Sequence, residues 1–202
     1  MVIDFDHTIA AARIAPYTDK TPKEIFSLFF DSGIIARFEA GLILPDVFFQ
    51  EVTRILNLKL GYRDFLPIWN EIFFMSEKNY RVLALVRQLR KNYFLALLTN
   101  INVLHFEYLK TNFSVFEPFH RVFASCEMGL TKPDPRIYEK VLEVLCVEAK
   151  AAFYTDDRQE LVTGACSLGI HGFVFIGASQ LEQDLTSVGV VVGPEFVHRN
   201  PK

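Results

Sequence analysis

An α/β fold, a parallel sheet carrying an inserted helical cap, is what this sequence predicts, and three observations carry the prediction. Short apolar, β-prone runs at 2–5, 93–98, 151–154 and 172–176 are each followed by a polar or small-residue loop and then a helical pattern. Strands alternating with helices require crossovers, which place parallel strands in one sheet with helices on both faces. The first crossover is far too long: a strand-to-strand connection needs about a dozen residues, yet everything from 10 to 92 lies between the first two strands. Finally, 202 residues at 50% hydrophobic and 22% charged composition are enough for one substantial core with a small appended domain.

In chain order, the run 2–5 is the first strand, and the sequence places the cap at 15–76 and the core at 1–14 and 77–202. The cap's content is helical. Thr21-Pro22-Lys23-Glu24 offers a capping box with proline at the first helical position, followed by Ile25, Leu28 and Phe29 at helical spacing. Further helical patterns occupy 45–56 and 62–74, and a helix over 78–90 leads back to the sheet. Phe29, Phe30, Phe48, Phe49, Phe65, Trp69, Phe73 and Phe74 read as the packing of this subdomain. Beyond it come the strand 93–98, a short strand at 121–124, a helix over 136–145 capped by Asp134-Pro135, the strands 151–154 and 172–176, and a late strand at 188–192. The polar tail 194–202 is expected to fray.

Composition excludes some functions. A net charge of −3 with no long basic run argues against binding nucleic acid through its phosphates. The apolar stretches fall short of the about 20 residues a membrane span requires, so no membrane association is expected. Three cysteines, Cys126, Cys146 and Cys166, match no zinc spacing, and no secretory leader precedes the first strand; a soluble protein of the reducing cytoplasm is the expectation. Arg13 and Arg37 read as surface ion-pairing residues.

In open parallel sheets the ligand sits at the carboxyl ends of the strands. Asp4 and Asp6 end the first strand, Thr99 and Asn100 the second, and Asp156 and Asp157 the strand 151–154, while Lys132 lies in the loop Gly129-Leu130-Thr131-Lys132-Pro133-Asp134-Pro135. One edge thus collects four carboxylates, a hydroxyl and an ammonium. Asp4 and Asp6, two apart on a strand, share a side, and like charges so close call for a cation, a shared proton or both. Oxygen donors with few soft ligands suit Mg2+, which commonly takes an oxygen from a substrate phosphate.

The order of these residues resembles the haloacid dehalogenase-like hydrolase superfamily. Its first motif is matched by Asp4-Phe5-Asp6-His7-Thr8, its second by Thr99 in Leu97-Leu98-Thr99-Asn100, its lysine motif by Lys132 and its acidic motif by Asp156-Asp157. The resemblance implies a Rossmann-like core and, through Phe38-Glu39-Ala40-Gly41 and the helices after it, the helical cap of the subgroup holding sugar-phosphate phosphatases and 2-haloacid dehalogenases. It implies that Asp4 is the nucleophile that forms an aspartyl-phosphate and that Asp6 is the general acid and base, a role favoured by a raised pKa beside Asp4. It further implies that Thr99 and the Asn100 amide bind phosphate, that Lys132 offsets negative charge, and that Mg2+ is held by Asp4, the Asp6 carbonyl, Asp156 and, through water, Asp157. The implied protein is a Mg2+-dependent phosphatase of small phosphorylated metabolites, sugar phosphates among them, acting as a monomer or small homo-oligomer. Two alternatives stand beside it. A 2-haloacid dehalogenase uses the same nucleophile on carbon but needs neither metal nor Asp6. A catalytically weak, regulatory member that binds a ligand or partner is suggested by His7, where glycine is common, and by the mere three residues ahead of Asp4.

Overall fold

Local sequence signals set most of the element boundaries in the computed structural model, which describes residues 1–192; the tail 194–202 lies outside them. The chain runs β1 (Asp4–Phe5), α1 (His7–Ile14), a 3-10 turn (Ala15–Tyr17), α2 (Pro22–Asp31), α3 (Ile34–Glu39), α4 (Pro45–Leu56), α5 (Tyr62–Asn70), β2 (Phe73–Phe74) and α6 (Glu77–Leu89). It continues through β3 (Ala96–Thr99), α7 (Val103–Asn112), β4 (Arg121–Ala124), α8 (Ser125–Met128), α9 (Pro135–Leu145), β5 (Phe153–Asp156), α10 (Gln159–Cys166), β6 (His171–Val174) and α11 (Ala178–Ser187). Thr21 and Glu24 form the capping box that starts α2, and Asp134 caps α9 through the amide of Arg136.

The fold is α/β, with parallel pairing of β3 with β4 and of β5 with β6. The first strand differs from expectation. β1 pairs antiparallel with β2, Asp4 opposite Phe74 and Phe5 opposite Phe73, and the Asp6 amide donates to the Ile72 carbonyl. Residues 2–3 make no strand ladder, and their side chains are instead held by packing: Ile3 is buried with Leu83, Ile101 and Phe106, and Val2 also touches the cluster of Val82, Leu85 and Phe175. The expected helix 62–74 stops at Asn70 because Ile72, Phe73 and Phe74, bulky and β-prone, extend to meet β1. No strand forms at 188–192. There the Val190 amide bonds the Leu185 carbonyl at the end of α11, and the Val191 amide bonds the Tyr93 hydroxyl.

Helices α1 to α5 enclose one apolar cluster that includes Ile14, Ile25, Phe29, Phe38, Phe48, Phe65 and Trp69. Phe38 stacks on Phe48 at 4.2 Å and Phe48 meets Trp69 at 4.9 Å, whereas Phe30 and Phe74 are exposed. Arg13 and Arg37 pair with Glu71 and Glu51 at the surface. Three contacts tie this cluster to the sheet side. His105 of α7 stacks on Trp69 at 4.9 Å with its Nε2 2.9 Å from the Trp69 carbonyl, and burial pushes the imidazole down to about 3, so it is neutral. Ser125 Oγ donates to the Glu39 carbonyl at 2.6 Å. At Gly41, where φ is 67°, a Cβ would run into the Cys126 carbonyl. Among the described residues no helix is long and apolar enough to cross a membrane.

Candidate active site

The carboxyl ends of β3 and β5 bring Asn100, Lys132 and Asp156 into direct contact. Asn100 follows β3, and its side chain clasps the Lys132 backbone from both sides: Oδ1 accepts from the Lys132 amide at 2.8 Å and Nδ2 donates to the Lys132 carbonyl at 2.9 Å. So held, Lys132 sends its ammonium to the Leu98 carbonyl at 3.1 Å and to Asp156 Oδ2 at 2.6 Å. Both side chains are nearly buried, 7% and 11% exposed. Asp156 also accepts from the Tyr154 hydroxyl at 2.8 Å and from the Arg158 amide at 3.2 Å. Burial opposes its ionisation, but the Lys132 ammonium and these donors outweigh burial and hold its carboxyl below the usual range. Its neighbour Asp157 shifts the other way, raised by burial and then by the charge of Asp156.

Asp4 and Asp6 lie in different surroundings. Asp4 Oδ2 is 2.8 Å from Ser76 Oγ, and Lys78 Nζ lies 2.9 Å from Oδ1. The Lys78 ammonium is thus the ion-pair partner of Oδ1. Burial again resists ionisation, and Lys78, Ser76 and Asn79 together overcome it to lower the Asp4 pKa. Asp6 is turned outward as the N-cap of α1, accepting from the Thr8 amide at 2.8 Å and the Thr8 hydroxyl at 2.6 Å. Those two bonds lower its pKa, the reverse of the rise expected beside Asp4. Thr99 closes β3 opposite Ala124, its hydroxyl 3.5 Å from the Asn100 carbonyl. His7 is part of an aromatic edge, 5.2 Å from Phe5 and 5.4 Å from Phe30.

The donors suit a hard cation in kind, since all are oxygens, and burial with the charge of Asp156 raises the Asp157 pKa, a penalty on its anion that a bound cation would relieve. They are not gathered, since no group of three or more His, Cys, Asp or Glu side chains among the described residues is placed to share one ion. Several contributors escape sequence reasoning. Ser76 and Asn79 have a capping-box spacing that marks the start of α6 but gives no hint of Asp4. Tyr154 precedes Asp156 by two on one strand, a spacing that puts both on one side. The clasping side chain of Asn100 and the ammonium of Lys78 leave no signature.

The fold is thus a parallel-stranded α/β one whose strand ends carry a buried lysine–aspartate pair beside a further carboxylate. The chain belongs to the haloacid dehalogenase-like hydrolases, whose family model matches residues 6–165. It is similar to a D-ribitol-5-phosphate phosphatase of Bacteroides thetaiotaomicron, 24% identical over 166 residues that cover 79% of this chain and 80% of the relative. It is also similar to a sesquiterpene phosphatase of Aspergillus oryzae, 26% identical over 137 residues, 67% of this chain and 69% of the relative. To a chloroplast flavin mononucleotide hydrolase of Arabidopsis thaliana it is 39% identical over 70 residues, 35% of this chain and only 29% of that protein's length. Among solved structures, a family enzyme of Bacteroides thetaiotaomicron in complex with magnesium and inorganic phosphate shares the fold, with a TM-score of 0.74, 24% identity, and coverage of 97% of this chain and 92% of that one.

Proposed function

We propose that the chain hydrolyses small phosphomonoesters, sugar phosphates among them, through an aspartyl-phosphate on Asp4 and with Mg2+ as cofactor, acting in the cytoplasm as a monomer or small homo-oligomer. The observation that carries this reading is the buried Lys132–Asp156 pair, clasped by Asn100 at the ends of β3 and β5. A fixed ammonium in low-dielectric surroundings stabilises a phosphoryl group without having to reorganise. The phosphatase names of the two longer-matching relatives agree with it.

In this reading Lys132 offsets charge on the phosphoryl oxygens, which the Thr99 hydroxyl and the Asn100 amide also bind. Asp4 attacks phosphorus; its low pKa keeps it ionised, and it must exchange Ser76 and Lys78 for the substrate side. Asp6 protonates the departing alcohol and then deprotonates water, which requires its carboxyl to leave the Thr8 donors that now favour the anion. Mg2+ would be held by Asp4, the Asp6 carbonyl, Asp156 and Asp157, and when bound it supplies charge neutralisation for the phosphoryl oxygens. The segment 15–76 serves as the lid that excludes water.

A panel of metabolite phosphates assayed for released phosphate, with Mg2+ and with a chelator, tests this. Turnover of at least one small phosphomonoester, lost on chelation and restored by Mg2+, is expected. Activity indifferent to metal, or none across the panel, would sink the reading.

A further inference from the structure

Tyr154 has no part in the reaction as set out above, yet it touches both members of the buried pair. On β5 it stands two residues before Asp156, so the two side chains leave the strand on one side. Its hydroxyl donates to Asp156 Oδ2 at 2.8 Å, the oxygen that also accepts from Lys132 Nζ at 2.6 Å, and the Lys132 ammonium lies 5.8 Å from the centre of its ring. The ring is braced from behind. Tyr138, 2% exposed and tied by its hydroxyl to the Leu161 carbonyl at 2.7 Å, meets it edge-on at 5.5 Å.

Lys132 has one donor to spare. An ammonium carries three N–H groups; one goes to the Leu98 carbonyl at 3.1 Å, one to Asp156, and the third has no acceptor among the described residues. Asp156 competes with any incoming anion for that ammonium, because a nearly buried carboxylate draws a cation strongly. A second donor on Oδ2 meets part of the carboxylate's demand and fixes its direction, which keeps the ammonium from being pulled wholly onto Asp156. Phenylalanine at 154 would keep the ring and its edge contact with Tyr138 and remove only this bond.

We propose that Tyr154 is a positioning residue for phosphoryl binding: by sharing Asp156 Oδ2 it keeps the Lys132 ammonium directed at the ligand. That the ligand is a phosphoryl group rests on the phosphatase reading above. Binding of inorganic phosphate in the presence of Mg2+ is measured by calorimetry, beside turnover of an aryl phosphate, in the native chain, Tyr154→Phe, Lys132→Gln and the double variant. Tyr154→Phe is expected to weaken phosphate about tenfold. The same change on Lys132→Gln, where no ammonium is left to direct, should alter binding by less than about twofold. Unchanged or tighter binding in Tyr154→Phe overturns the proposal, as does an equal loss in both backgrounds or a native chain that binds no phosphate. Where Lys132→Gln fails to fold or binds too weakly to measure, the nitrogen resonance of the Lys132 ammonium decides in its place: saturating phosphate should move it in the native chain and move it less in Tyr154→Phe, and equal movement overturns the proposal. Phosphate binding that depends on Tyr154, without turnover, supports Tyr154 and defeats the phosphatase reading alone; turnover with phosphate binding indifferent to Tyr154 does the reverse.

Discussion

The charge of Lys132 favours ionisation of both Asp156 and Glu39, and it outweighs burial only at Asp156. The Asp156 pKa is depressed in the folded chain, so its pair with Lys132 contributes stability above the unfolded carboxylate range that is lost as pH falls through the folded value. Lys132→Met strips the ammonium from a buried carboxylate and should cost about 3 kcal/mol in urea unfolding near neutral pH, with the deficit shrinking in acid as Asp156 takes up a proton. Glu39 works the other way. With its pKa raised from 4.5 to about 7, the folded chain binds the proton more tightly than the unfolded one, and stability falls as pH rises between those values. Glu39→Gln should therefore stabilise the chain by about 1–3 kcal/mol at alkaline pH and change little near pH 5; an equal effect at both would show that the charge is not what is penalised. The sequence shows Asp156 because it closes a strand, and Lys132 because its loop matches the family's lysine motif. The side chain of Asn100, the ammonium of Lys78 and the burial of Glu39 depend on neighbours far along the chain, which no local pattern encodes.

Elements bounded by chemistry of their own are the ones sequence reasoning locates. The helix expected at 45–56 is α4 (Pro45–Leu56), opened by its proline, and the capping box at Thr21 starts α2. Elements that depend on a partner are harder. Phe73 and Phe74 continue a helical spacing but pair with β1, and the run 188–192 looks like a strand yet bonds instead to the Leu185 carbonyl and the Tyr93 hydroxyl. β1 combines both problems, since its partner is the return from the long insertion rather than another parallel strand. The junction of α3 with α8 gives a test at this scale. Gly41→Ala places a methyl against the Cys126 carbonyl at a left-handed backbone position, and a loss of about 2–3 kcal/mol in thermal unfolding is expected. Gly33→Ala, at a similar φ of 69° with open space around it, should cost only about 1 kcal/mol. Equal losses at the two glycines would mean that the contact with Cys126 does not matter.

Across the molecule, the proposed site residues fall into two groups with different bonding partners. Lys132, Asn100, Asp156 and Asp157 are assembled on the ends of β3 and β5, while Asp4 is bonded to Ser76 and Lys78 at the start of α6, and Asp6 caps α1. The order of the motifs along the chain suggests one site, but not that Asp4 has competing partners of its own, because Ser76 and Lys78 enter only through the fold. Acid-quench mass spectrometry during turnover of an aryl phosphate in Mg2+, with Asp4→Asn in parallel, tests the central claim most directly. The account predicts a phosphoryl adduct on the peptide that contains Asp4, and a loss of turnover of at least roughly 10³-fold in Asp4→Asn. Undiminished turnover in Asp4→Asn, or an adduct carried by another residue, would contradict it.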